Sequence, residues 1–412
     1  MKKLYLLFLW HMHQPVYKNP IDDYYEMPWV FLHSIKDYYE IPWYMSNFKK
    51  IKATFNLVPS LLEQILDYYK EDVKDKFLEI WKKNPNNLSI EEKKYLIPFL
   101  FNSNVETMIK PFPRYYQLFL KKEKFSQNFY EIFSENEILD LEILFILSWT
   151  GNYLRKNSLV VKNLIKKGAN FTQQDKENLL KELTIFIRKI IPFYKKLSEE
   201  KKIEISTTPF YHPILPLLID IKSAKESTPE INLPKIDISF QDDAKIHVSK
   251  AINYFKNIFG YKPKGFWPAE GSISEDTIKL FSEENVQWAA SDEDVLFNSL
   301  KNQDKKNIYR IYKYDETYLF FRDKTLSDLI GFTYSNWNEK EAAKDFIKRL
   351  RNIYETYSFP PVVSVILDGE NAWEFYKNNG QDFFENLYKE IEKEEWIECI
   401  TFSEILNKGL DI

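Results

Sequence analysis

Cysteine, histidine and glycine, which commonly build active sites and turns, are scarce in this chain: one, five and nine among 412 residues. A single thiol, Cys399, excludes an intramolecular disulfide and a cysteine-built metal cluster, and reads as a small buried hydrophobe. No run of about eighteen apolar residues occurs, so no membrane-spanning helix is expected. The opening MKKLYLLFLW imitates an export signal, but its apolar run is short, breaks at His11 and is followed by no small-residue cleavage site. It reads instead as a buried strand, Leu4–Leu9, in a soluble cytoplasmic protein with no membrane partner. Charge of one sign is also missing. A formal net charge of −4 leaves no electrostatic footprint for nucleic acid.

What is present is 44% hydrophobic and 29% charged residues, a globular balance. The length admits two or three average domains or one large barrel. Aromatic residues reach 17%, with 32 Phe, 27 Tyr and 10 Trp. Most of these build core, although aromatic faces are also platforms for sugar rings. A lysine-rich, glycine-poor chain fits a hot (thermophile) habitat or a biased genome.

Short apolar runs alternate with helical patterns. Leu4–Leu9, Ala53–Leu57, Glu204–Thr207, Gly265–Trp267, Trp288–Ala290, Tyr318–Phe321 and Val362–Leu367 read as buried strands. Ser274–Glu284, Lys340–Tyr354 and Gln381–Lys393 read as helices between or after them. This alternation predicts an α/β fold with a parallel sheet, and about seven strands favour a closed barrel. From 60 to 200 the apolar spacing becomes three and four, as in LLEQILDYYKEDVKDKFLEIW, which predicts a helical insertion within one catalytic domain spanning 1–412. Lys222–Asp237, with two prolines, is the candidate exposed loop. No internal repeat or low-complexity linker is found.

Active residues of parallel barrels gather where strands end. The first strand is followed by His11, Met12, His13 and Gln14; residues i and i+2 of an extended chain share a face, so both imidazoles can enter one pocket. An HxH pair fits a metal site or a pocket wall, but taken alone it is first of all two hydrogen-bonded strand-end histidines. Glu270 follows Gly265–Trp267 in FWPAEGSIS, and Asp368 and Glu370 follow Val362–Leu367 in LDGENAWEFY. Two carboxylates flanking one bond is the arrangement glycoside cleavage needs: one attacks, the other protonates the leaving oxygen.

HMHQPVY, KIEISTTPFYHPILPLL, GFWPAEGSIS and LDGENAWEFY, in this order, resemble the motifs of family 57 glycoside hydrolases, nearest to the α-amylase/amylopullulanase-like branch. SWTGNYLRKN and FFRDKTLSDLIGFTYSNW between them look familial too. The resemblance implies a distorted (β/α)7 TIM-like barrel and a retaining double displacement on α-glucans such as starch or glycogen, without metal or other cofactor. It implies Glu270 as nucleophile and Asp368 as general acid/base, their carboxyls about 5–5.5 Å apart. His11, His13, Gln14, Glu204, His212, Trp267 and Glu370 are then expected around the sugar, with Asp292, Arg322, Asp323 and Trp337 as further pocket residues. An ion pair within the fold explains Arg322 and Asp323 equally well.

Two departures stand out. The second motif of the family usually begins with glycine, where this chain has Lys201. Family members usually continue into a helical domain with a fifth motif, of which no counterpart follows TFSEIL. Hydrolysis of α-1,4 and α-1,6 links, a 4-α-glucanotransferase or branching activity, and a non-catalytic glycan-binding protein all fit these residues. A metal-dependent deacetylase or mannosidase on a related barrel is the remaining alternative, disfavoured because the other histidines look isolated. Oligomeric state is not legible.

Overall fold

Side-chain alternation along the first strand sets the interior of the molecule. In the computed structural model, which describes residues 2–70, 72–125, 128–236 and 239–410, β1 is Leu4–Met12. Leu4, Leu6, Phe8, Trp10 and Met12 join the large apolar layer shared with the helices. Leu7 and Leu9 belong instead to a smaller cluster with Trp288, Phe320 and Ile366, residues of other strands. Two faces of one strand therefore serve two cores, the outer layer and the barrel interior, which is why the run is apolar throughout.

The other strands are β2 (Ala53–Leu57), β3 (Ile203–Ser206), β4 (Gly265–Phe266), β5 (Trp288–Asp292), β6 (Thr317–Arg322) and β7 (Val362–Asp368). They pair in the order β3-β2-β1-β7-β6-β5-β4, all parallel. A parallel bridge between Thr207 and Phe266, with Trp267 N donating to the Thr207 carbonyl at 3.1 Å, joins the two ends of this order. The result is a nearly closed seven-stranded (β/α)7 barrel, as the strand pattern predicted. An eighth short strand, β8 (Ile397–Cys399), pairs with the start of β1. It carries Cys399, whose thiol burial pushes up to about 12.

Between β2 and β3 the described residues form helices and turns but no strand, from Pro59–Asp67 to Ile190–Glu199. That last helix ends on Lys201 at φ 56°, with Lys201 N donating to the Ser198 carbonyl and Lys202 N to that of Leu197. This left-handed C-cap is the conformation glycine adopts without strain, which gives a physical reason for the glycine usual at this position in the family the motifs resemble. Lys222–Asp237 is not a loop throughout. Ile221–Ser223 and Ala224–Ser227 are short helical turns, the irregular exposed part begins at Thr228, and Asp237 lies outside the described residues. No helix among the described residues is long and apolar enough to cross a membrane.

Candidate active site

The interior row of each strand ends in a polar or aromatic residue at one mouth of the barrel. On β1 the row Leu7, Leu9 continues to His11; on β7 the row Val362, Ile366 continues to Asp368. His11 and Asp368 are register partners in the sheet. Asp292 and Arg322 end β5 and β6 in the same way and face each other at 3.5 Å. These residues, with His13, Trp267 and Glu270, line one cavity of about 1050 Å3.

Asn56, at the end of β2, organises one wall. Its Nδ2 donates to the Thr207 carbonyl (2.6 Å) and to Ser206 Oγ (3.1 Å), which leaves Oδ1 as an acceptor for His11 Nδ1 at 2.8 Å. Thr208 Oγ1 lies 2.8 Å from the same Oδ1 and 2.7 Å from the Trp267 carbonyl. A buried hydrogen-bonded belt thus runs from β1 through β2 and β3 to β4. It fixes the His11 tautomer with the proton on Nδ1 and leaves Nε2 as a lone-pair acceptor. Burial, then His13, lowers the His11 pKa to about 3, so the ring is neutral.

His13 stacks on His212 with ring centres 3.9 Å apart and planes 18° from parallel. His212 also lies 5.2 Å from the His11 ring. The expectation that the HxH pair has no clustered companion is therefore corrected: His212, 199 residues beyond His13 and held at φ 57°, completes a group of three. Their ligand atoms lie within 4.8 Å of one another, close enough to hold a metal ion. Burial, then His11 and His13, lowers the His212 pKa to about 2; burial lowers that of His13, against the pull of Asp368.

Glu270 sits in the turn Ala269–Gly271 with left-handed backbone, φ 55° and ψ 21°. A non-glycine residue in this region is strained, and such residues concentrate at functional sites. Its side chain opens into the cavity, yet the surrounding protein desolvates the carboxyl and raises its pKa, with the Asp368 charge adding to the effect. Asp368 accepts from Asn371 Nδ2 at 3.0 Å. Gly369 N donates to the His11 carbonyl at 2.9 Å, and a Cβ there would lie 2.3 Å from Met12 Sδ, so a larger residue would have to displace that buried side chain.

The remaining sequence-derived residues divide. Glu370 is fully buried behind the wall, accepting from His13 N at 2.8 Å, with Gln14 Nε2 at 3.5 Å and the Tyr38 hydroxyl at 3.4 Å. Burial, then Asp368, drives its pKa far above the carboxylate range. Gln14 is buried as well and accepts from the Tyr17 hydroxyl at 2.7 Å. Glu204 does not line the cavity. It lies inside the barrel, accepting from Trp288 Nε1 and Ser403 N, both at 2.9 Å. Asp323 is buried, accepts from the Tyr309 hydroxyl at 2.8 Å and caps the helix Lys324–Asp328 through Leu326 N. Arg322 pairs not with Asp323 but with Asp328 at 2.5 Å and Asp292. Trp337 packs edge-on against Tyr334 outside the cavity, where Ser335 and Asn336 line it instead.

Sequence reasoning missed Asn56, Thr208, Phe332 and Phe375. Asn56 left a trace as the one amide in the apolar run ATFNL; Thr208, Phe332 and Phe375 lie within the quoted motifs, but nothing in their residue types singled them out there.

The model of glycosyl hydrolase family 57 matches residues 7–410. No curated protein sequence matches the chain. Among solved structures, an α-amylase of Thermotoga maritima is similar at 15% identity and TM-score 0.58, over 100% of this chain and 76% of that one. A GH57-type branching enzyme of Pyrococcus horikoshii is similar at 14% and 0.58, over 100% and 71%. A 4-α-glucanotransferase of Thermococcus litoralis is similar at 15% and 0.53, over 99% of this chain but 41% of the longer protein. At these identities the likeness is one of fold, and it is the barrel described above. With a family match over nearly its whole length, this chain belongs to glycosyl hydrolase family 57.

Proposed function

We propose that this chain cleaves α-glucosidic bonds with retention of configuration, Glu270 being the nucleophile and Asp368 the general acid/base. The observation that carries the reading is that both carboxylates line one cavity at the mouth of the barrel, beside His11 and His13. Asp368 gives its proton to the glycosidic oxygen while the Glu270 carboxylate bonds to the anomeric carbon and the C–O bond breaks. Asp368, now a carboxylate, removes a proton from an incoming hydroxyl, whose oxygen takes the anomeric carbon and frees Glu270.

Neutral His11 offers Nε2 to a sugar hydroxyl, and Trp267 offers a ring face. Asp292 and Arg322 line the cavity for further hydroxyls, while Gln14, Glu370 and Asp323 support it from behind. His212 holds the His13 ring, Glu204 ties the barrel together, and Trp337 braces the outer loop. Water as acceptor gives an α-amylase or amylopullulanase acting on α-1,4 and α-1,6 links; a sugar hydroxyl gives glucanotransferase or branching activity. Product analysis on maltooligosaccharides, with Glu270→Gln and Asp368→Asn as controls, tests the assignment. Wild-type turnover lost in both variants is expected, and equal product from wild type and Glu270→Gln overturns it.

A metal-dependent reading draws on the group His11, His13 and His212. Lone pairs of imidazoles lie in the ring plane, and two nearly parallel rings 3.9 Å apart point theirs side by side rather than at one centre. A chelator is therefore expected to leave turnover unchanged. Activity lost to chelation and restored by zinc would favour the metal reading.

A further inference from the structure

We propose that Phe332 and Phe375 are stacking platforms for glucosyl units away from the cleavage point, so that the preferred substrate is a chain of several glucose units rather than a disaccharide. This rests on the glucan-cleaving reading of the same cavity. Among the described residues these are the two exposed large apolar side chains that line it, 76% and 56% exposed.

Each ring rides on an anchored turn. Phe332 belongs to the turn Leu329–Thr333 after β6, which Ile330 pins by complete burial. Phe375 ends the turn Trp373–Phe375 after β7, pinned by buried Trp373, whose Nε1 donates to the Gly369 carbonyl at 2.8 Å. The two turns are tied together, because the Tyr376 hydroxyl donates to the Ile330 carbonyl at 2.5 Å. Both turns are thus anchored, while the two rings they carry take little part in packing. An aromatic side chain with two rotatable bonds, left open on an anchored turn, costs little to order against a stacking partner.

The surroundings suit a sugar. Ser335, Asn336 and Asn371 line the cavity near these rings, and Asn104 and Glu106 line it from the helical side. Pyranose rings present an apolar C–H face and a rim of hydroxyls, matching separate aromatic rings among hydrogen-bonding groups. A protein partner would instead be met by a contiguous apolar patch. The cavity volume of about 1050 Å3 is at the top of the roughly 300–1,000 Å3 range of small-molecule sites, more than one or two sugar rings fill.

The test is kcat/KM across a length series of maltooligosaccharides for wild type, Phe332→Ala, Phe375→Ala and the double variant, with Phe→Trp at each position. The ratio of long-chain to short-chain kcat/KM should fall about three- to tenfold per ring removed, and tryptophan should restore it. A loss equal at every length, or no loss, overturns the proposal. Calorimetric binding of the same series to Glu270→Gln, with and without both phenylalanines, separates it from the cleavage reading. Affinity that grows with chain length only when the rings are present supports the platforms even without turnover. Affinity that grows regardless of the rings, or not at all, overturns them.

Discussion

Asn56 accepts the Nδ1 proton of His11, so a residue of the second strand decides which nitrogen the first strand shows to the cavity. Asn56→Asp exchanges the amide for a carboxylate. The new charge favours imidazolium, so the His11 pKa should climb from about 3 toward the ordinary histidine value. Nε2 then becomes a donor, and kcat/KM should drop at least about tenfold, the scale of one misdirected hydrogen bond. NMR titration of His11 beside steady-state kinetics checks both; an unchanged titration refutes the tautomer argument.

The carboxyl of Glu270 is raised, first by burial and then by Asp368. A nucleophile must be ionised, so the acid limb of turnover should lie above the ordinary glutamate value of about 4.3. Asp368→Asn removes the nearby charge. With an aryl α-glucoside, whose leaving group needs no proton, the burst of released aryl alcohol in that variant should keep its acid limb but at lower pH. A limb in the same place would show that Asp368 does not act on Glu270.

Stability should carry two opposed pH trends. Glu370 holds its proton far above the pH at which the unfolded chain releases it, so the native state loses stability as pH rises from about 4.3 toward the folded value. His11 and His212 refuse protons that the unfolded chain binds below about 6.5, so stability also falls as pH drops from there toward about 3. Glu370→Gln keeps an acceptor for His13 N and abolishes the first trend. It should remove a slope of up to about 1.4 kcal/mol per pH unit that sets in above about pH 4.3, measurable by denaturant unfolding at a series of rising pH values.

Lys201→Gly should stabilise the protein. Lys201 is exposed and left-handed, so relief of backbone strain outweighs the added freedom of glycine in the unfolded chain, by about 0.5–1 kcal/mol. Thermal unfolding of the two proteins decides it; a lower midpoint for the glycine variant would mean that the lysine side chain contributes more than its backbone costs.

All seven barrel strands were legible in the sequence, because parallel strands buried on both faces are contiguous apolar runs that end where the chemistry begins. The same rule brought His11, Glu270 and Asp368 to attention. What the sequence hid was lateral adjacency. His212 joins His13 only because the loop after β3 folds over the mouth, and the Asn56 belt needs four strands in register. Arg322 and Asp323 look like a pair in sequence, yet they are consecutive residues of extended chain and so point to opposite faces, each finding another partner. Trp337 was the conspicuous aromatic, but the exposed cavity ring in that loop is Phe332, five residues earlier.

Strand β1 is flanked by β2 on one side and β7 on the other. Its register partner for His11 is Asp368 of β7, 357 residues later. At a synthesis rate of about 5–20 residues per second, β1 waits roughly 20–70 s on the ribosome before its partner is made. During that interval both its faces are apolar and one edge is unpaired, a template for wrong pairing. Strand β1 is therefore a segment that a cell's chaperones have reason to cover until β7 is made.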